Sequence, residues 1–142
     1  MKKYLLVFLV IAALLVPLCA LSEVSTNLKT VSTYGSTGLV KTTTFVDAEG
    51  NPVIADDKGY ATVCYEYKDN RIVRTYYVDL DGNPVNCRDG WYEIITNYNS
   101  LRRLVNKAYK ALDGSLVIGP EGYARETNTY YNRKLVETAR YG

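Results

Sequence analysis

The stretch Gly59-Tyr60-Ala61-Thr62-Val63-Cys64-Tyr65-Glu66-Tyr67, followed by Lys68-Asp69-Asn70 and then Arg71-Ile72-Val73-Arg74-Thr75-Tyr76-Tyr77-Val78-Asp79, decides the fold. Two runs rich in Val, Ile, Thr and Tyr alternate with polar residues and flank a short polar turn, which is the pattern of a β-hairpin. The chain continues into Leu80-Asp81-Gly82-Asn83-Pro84. There the acid-Gly pair supplies the positive φ of a tight turn, and proline resets the chain direction.

These features return every 32 residues. Val40, Ile72, Leu104 and Val136 form one series, Phe45, Tyr77, Tyr109 and Tyr141 a second, and Gly50, Gly82 and Gly114 a third. Gly59, Gly90 and Gly122, each followed by an aromatic (Tyr60, Trp91, Tyr123), add a fourth with a single-residue slip. A repeat of this length is one supersecondary unit that buries its apolar face against its neighbours. The expected fold is therefore all-β: tandem hairpin repeats of about 32 residues forming an elongated antiparallel meander or solenoid-like sheet. Hairpins are expected near 60–78, 91–110 and 123–141, within units at about 59–89, 90–121 and 122–142, preceded by a partial first unit; the repeat domain covers 39–142.

Two readings of detail follow from alternation. Leu101, Leu104, Val105, Ala108 and Leu112 also sit at helix spacing, but the counterpart Asn70 to Leu80 reads as strand, so strand is expected here too. Ala61, Val63, Tyr65 and Tyr67 share one face, matched by Tyr92, Ile94, Thr96 and Tyr98 and by the more polar Ala124, Glu126, Asn128 and Tyr130. The same parity puts Tyr60, Trp91 and Tyr123 on the opposite, wetter face.

Residues 1–22 have a basic start (Lys2, Lys3), an apolar run from Tyr4 to Val16 broken at Pro17, and the small-residue stretch Ala20-Leu21-Ser22. This is the layout of a secretory signal cleaved after Ser22; the alternatives are an uncleaved anchor or a lipid on Cys19. Residues 23–38, rich in Ser, Thr and Gly, read as a flexible lead-in. The whole chain of 142 residues carries 17 Lys+Arg and 15 Asp+Glu, and loss of Lys2 and Lys3 brings the formal charge to zero. Nucleic-acid binding needs a basic surplus and peripheral membrane binding a polybasic patch, so neither partner is expected after cleavage.

Chemistry-bearing groups are few. The chain has no His, which removes the usual Ser-His and Cys-His activations. Glu66 and Asp69 are a carboxylate pair that a glycosidase could use, set against the ordinary role of surface charges. Asp47-Glu49 and Asp79-Asp81 resemble the start of a calcium loop, but no far-end Glu follows and the third unit has Ala111. No metal or other cofactor is expected. Cys64 and Cys87 remain after cleavage and are a candidate disulfide. Tyr60, Trp91 and Tyr123 are the candidate ligand-binding residues, one ring per unit for stacking on a repeating polymer; the competing reading is that each ring pads its neighbouring glycine.

The segment Tyr76-Tyr77-Val78-Asp79-Leu80-Asp81-Gly82-Asn83-Pro84-Val85, followed by Gly90-Trp91 and preceded by Tyr65-Glu66-Tyr67-Lys68-Asp69-Asn70, resembles the tyrosine-rich β-hairpin repeats of secreted and surface proteins of Gram-positive bacteria. Similar units accompany some clostridial cell-surface polymer enzymes, and the spacing is also similar to that of tyrosine–aspartate (YD/RHS-type) repeats. A weaker likeness is to choline- or glucan-binding cell-wall repeats, which are shorter and supply several Trp where this chain has Trp91 alone. The resemblance covers about 45–142 and implies a secreted or cell-surface, non-catalytic module binding cell-wall polysaccharide or a surface protein. A structural spacer or a fragment of a longer surface repeat protein is the alternative, and a small carboxylate-based hydrolase a third.

Overall fold

The computed structural model describes residues 28–142; the signal segment expected at 1–22 and the first residues of the lead-in lie outside them. Eight strands run β1 (Lys29–Tyr34), β2 (Val40–Val46), β3 (Thr62–Lys68), β4 (Arg71–Val78), β5 (Glu93–Tyr98), β6 (Leu104–Lys110), β7 (Arg125–Tyr131) and β8 (Lys134–Tyr141). They lie side by side in sequence order in one open antiparallel sheet, with no helix among the described residues. The expected all-β meander is thus observed, with β6 where the helix-spaced residues lie.

The lead-in reading needs correction. Lys29–Tyr34 is a full strand paired to β2 from Lys29↔Val46 to Tyr34↔Val40, so the sheet opens on a complete hairpin rather than a partial unit. Its Ser and Thr do not signal flexibility. Thr33 and Thr42 hydroxyls meet at 2.6 Å, Ser32 and Thr43 at 3.2 Å, and Thr44 and Thr62 at 2.9 Å, forming cross-strand hydroxyl pairs. Such pairs stabilise a sheet much as aromatic pairs do, and β-branched Thr suits the pleat.

One turn geometry is used seven times. At Gly35, Asp47, Asp79, Cys87, Asn99, Ala111 and Gly119 the residue's N–H donates to the carbonyl four residues on, and its own carbonyl accepts from the N–H three residues on. The residue at that third step has positive φ: Gly38, Gly50, Gly82, Gly90, Gly114 and Gly122, and once Arg102. This is a type I turn closed by a left-handed residue, where glycine carries no steric cost. The tips Asp69-Asn70 and Asn132-Arg133 are two-residue turns with both φ positive. The segment Ala55–Tyr60 holds one residue more than Cys87–Trp91 or Gly119–Tyr123, which accounts for the single-residue slip in the glycine-aromatic series.

Within hairpins the strands pair over six or seven residues, whereas neighbouring hairpins pair over three, as in Thr42↔Cys64 to Thr44↔Thr62. The remainder of that seam is filled by the connections 47–61, 79–92 and 111–124. In each, a Val (Val53, Val85, Val117) donates back to the last aromatic of the preceding strand (Phe45, Tyr77, Tyr109). The core sits at this end of the sheet. Tyr77, Cys87, Trp91, Tyr109 and Tyr123 form the buried cluster, flanked by Tyr60, Val63, Val85, Ile94 and Val117.

Entry to each following hairpin is bulged. Thr62 pairs with Val78 while Ala61 N–H also donates to the Val78 carbonyl; Tyr92 and Glu93 share Lys110, and Ala124 and Arg125 share Tyr141 in the same way. Two residues opposite one reverse the parity of everything upstream. Tyr92 therefore lies with Tyr76 and Arg74, not with Ile94 as strict alternation predicts, and Trp91 comes round to the Ile94 face. The last hairpin is polar as expected: Glu126, 9% exposed, is bonded by Arg140 at 3.0 Å and Asn128 at 3.1 Å.

Candidate functional site

The bulges decide the fate of the aromatic row. Trp91 is 7% exposed and Tyr123 8% exposed, both inside the core. The Trp91 ring meets Tyr109 edge-on at 5.3 Å, and Tyr60 stacks on Tyr77 at 4.3 Å and touches Phe45 at 5.8 Å. The expected placement of Tyr60, Trp91 and Tyr123 on the wetter face is corrected: these rings cover the seam between hairpins. A cleft of about 250 Å³ beside them is lined by Tyr60, Tyr77 and Trp91 together with Lys58, Cys87, Asp89 and Pro120.

Burial also raises the phenol pKa values of this cluster. Tyr60 is pushed up to about 12, and Tyr77 and Tyr123 move the same way, each chiefly through loss of water around the phenolate. Tyr109, 1% exposed, is raised by burial and by its hydrogen bond to Glu121.

Cys64 and Cys87 are free thiols. Val63 packs on the cluster that contains Cys87, so its neighbour Cys64 points through the sheet to the other face, opposite Tyr76. Burial raises both thiol pKa values, which makes both poor nucleophiles. The candidate disulfide is not formed, and the sheet itself stands between the two sulfurs.

Glu66 and Asp69 are not brought together. Glu66 Oε1 accepts from Arg74 Nη1 at 2.9 Å, in a network where Arg74 Nε donates to Glu93 at 2.6 Å and the guanidinium covers the Tyr76 ring at 4.5 Å. Asp69 occupies the β3–β4 turn with φ of 52°. Asp47 and Asp79 direct a carboxylate oxygen onto the amides two and four residues on, and these bonds hold both pKa values down. Their acids serve their own turns.

Topology produces a site that composition concealed. In a meander every hairpin tip lies at one edge of the sheet and every connection at the other. Counting each turn with its two flanking residues, the tip edge holds Lys68, Arg71, Arg102, Arg103, Arg133 and Lys134 against Asp69 alone. The connection edge, counted alike, holds ten carboxylates from Asp47 to Glu121 against Lys58, Arg88, Lys110 and Arg125. A chain with a formal net charge of only +2 is thus split into a cationic and an anionic edge.

A cleft of about 250 Å³ opens on the cationic edge between the second and third hairpin tips, lined by Lys68, Asp69, Arg71, Val73, Asn97, Tyr98, Asn99, Ser100 and Arg102. Arg71 lies over the Tyr98 ring at 5.0 Å, and Arg102 Nη2 donates across the seam to the Asp69 carbonyl at 2.9 Å. Arg71 Nε is buried without a hydrogen-bond partner, the single side-chain polar atom in that condition among the described residues. Reading the sequence residue by residue missed this site, although the basic residues of successive turns were visible in it. No protein-family model, curated protein or solved structure matches the chain.

Proposed function

We propose that this chain is an exported, non-catalytic β-hairpin repeat module that holds an anionic component of the cell envelope, glycan or surface protein, along the cationic edge of its sheet. The reading rests on one observation: six cations and one carboxylate gathered at the hairpin tips. A single-sign edge concentrates counter-charged partners and speeds their capture in a salt-dependent way. The signal-like segment 1–22 and the resemblance to surface repeats supply the compartment, and an intact mass beginning at Glu23 tests it. The binding test is sedimentation of the protein with isolated cell walls. Binding is expected to fall steeply with salt and to be lost when Arg103, Arg133 and Lys134 are replaced together by Glu. Binding indifferent to both rejects the reading.

The burial of Trp91 and Tyr123 favours a second reading, a structural spacer, because it removes the aromatic row as an open stacking surface. A spacer predicts no retention on cell walls at any ionic strength.

A further inference from the structure

We infer that the cleft between the second and third hairpin tips is a carboxylate subsite that takes one acidic sugar residue of a uronic-acid polysaccharide. The inference rests on the proposed binding along the cationic edge and narrows it to one place and one ligand class. Arg71 carries the argument. Its Nε is enclosed by the protein without a partner, so the Nη groups are the Arg71 donors that a ligand in the cleft can reach. The edge formed by the two Nη groups is the fork that a planar carboxylate fills with two parallel bonds. Stacking on Tyr98 at 5.0 Å fixes the plane of that fork before any ligand arrives.

The rest of the cleft suits a sugar. Lys68 and Arg102 add positive charge at the rim, Asn97, Asn99 and Ser100 offer neutral groups for hydroxyls, and Tyr98 with Val73 gives an apolar wall for a ring's C–H face. At about 250 Å³ the cleft holds one sugar ring. Its volume lies below the roughly 300–1,000 Å³ of pockets that enclose drug-sized ligands. Arg103, Arg133 and Lys134 continue the positive edge beyond it, so further acidic residues of the same polymer meet charge rather than a second pocket.

The test is titration of the mature protein with oligogalacturonate, its methyl-esterified neutral counterpart, and a polyphosphate of matched charge. The readouts are calorimetry and the Arg71 Nε–H resonance in the ¹⁵N-labelled protein. Oligogalacturonate should shift that resonance, and Arg71→Lys, which keeps the charge and loses the fork, should weaken binding about tenfold, the worth of one charge-assisted hydrogen bond. Circular dichroism and the melting midpoint of Arg71→Lys check that the fold is retained, and the resonance in the unsubstituted protein decides the matter if it is not. The inference is overturned by equal binding of the esterified oligomer, by tighter binding of polyphosphate, or by an Arg71 resonance that does not move. Concentration-dependent dimerisation abolished by Arg71→Lys also overturns it, since the acidic edge of a second copy would then fill the cleft. If replacing Arg103, Arg133 and Lys134 by Glu abolishes retention on cell walls while Arg71→Lys does not, the cleft fails and the edge reading stands.

Discussion

The indole N–H of Trp91 points at the hydroxyl of Tyr77 at 3.4 Å, both residues buried in the seam between the second and third hairpins. The contact is long for a hydrogen bond, yet it gives the polar end of a buried indole a partner. With Tyr109 packed edge-on against the ring, Trp91 links β4 and β6 through a residue that belongs to neither strand.

Trp91→Ala should therefore cost about 3–5 kcal/mol, the range for deleting a large aromatic from a core. The melting midpoint should drop by many degrees, and the variant should unfold at lower urea concentration than the parent. A midpoint within a degree or two of the parent would show that the ring is dispensable to packing and reopen the aromatic row as a ligand surface.

Gly119 lies against the Tyr109 ring: a Cβ built there would come within 2.4–2.5 Å of three ring atoms. Equivalent positions carry Ala55 and Cys87, so the side chain shrinks where the ring is most enclosed. Gly119→Ala should destabilise by about 1–3 kcal/mol through overpacking. Gly114→Ala meets open space but must adopt φ of 83°, a backbone cost of about 1–2 kcal/mol. Near-ultraviolet circular dichroism separates the two, because only Gly119→Ala should disturb the tyrosine environment. A silent Gly119→Ala spectrum would contradict the close approach.

The hairpins were legible in the sequence because alternation and acid-Gly turns are local signals, each written within ten residues or so. Where a side chain ends up after a bulge is not local. Trp91 and Tyr92 changed faces because two residues share Lys110, a count that depends on the partner strand. β1 was concealed by composition: Ser and Thr read as lead-in until Thr42 and Thr43 are seen opposite them. A near-balanced total of 17 basic and 15 acidic residues says nothing of position. Only the meander, by sending tips to one edge and connections to the other, reveals the cationic edge and the Arg71 cleft.

The tyrosine cluster predicts an alkaline transition. Tyrosine normally titrates near 10, whereas burial holds Tyr60 up to about 12 and raises Tyr77, Tyr109 and Tyr123 as well. The folded state retains these protons more tightly than the unfolded state. Their contribution to stability is full below about pH 10 and is lost as pH rises toward 12. Phenolate absorbance should show the cluster ionising late, together with loss of strand signal. One smooth titration near 10 with the fold intact would contradict this.

Cys64 and Cys87 should remain thiols in protein purified under air. Alkylation without reductant after unfolding should add two labels, while the native protein should label slowly at both because burial raises each pKa. A mass showing one intramolecular disulfide would require the two sulfurs to reach each other past the sheet that now separates them.

Arg102 stands where six equivalent turns have glycine, at φ of 62°. Three small terms decide what Arg102→Gly does to stability. Relief of the left-handed backbone gains about 1–2 kcal/mol, added freedom of the unfolded chain costs roughly 0.5–1 kcal/mol, and loss of the bond to the Asp69 carbonyl costs about 0.5–1.5 kcal/mol. They nearly cancel, so the melting midpoint should move by no more than a few degrees in either direction. Binding at the cleft should respond differently. Arg102 supplies one of its three cations, and removing a rim charge of this exposure should weaken oligogalacturonate binding roughly twofold to fivefold, with a shallower dependence on salt. Stability nearly unchanged with weaker, less salt-sensitive binding identifies Arg102 as a charge kept at the cleft against the turn's own preference for glycine. A large loss of stability with unaltered binding would instead make its link to Asp69 a structural clasp between hairpins.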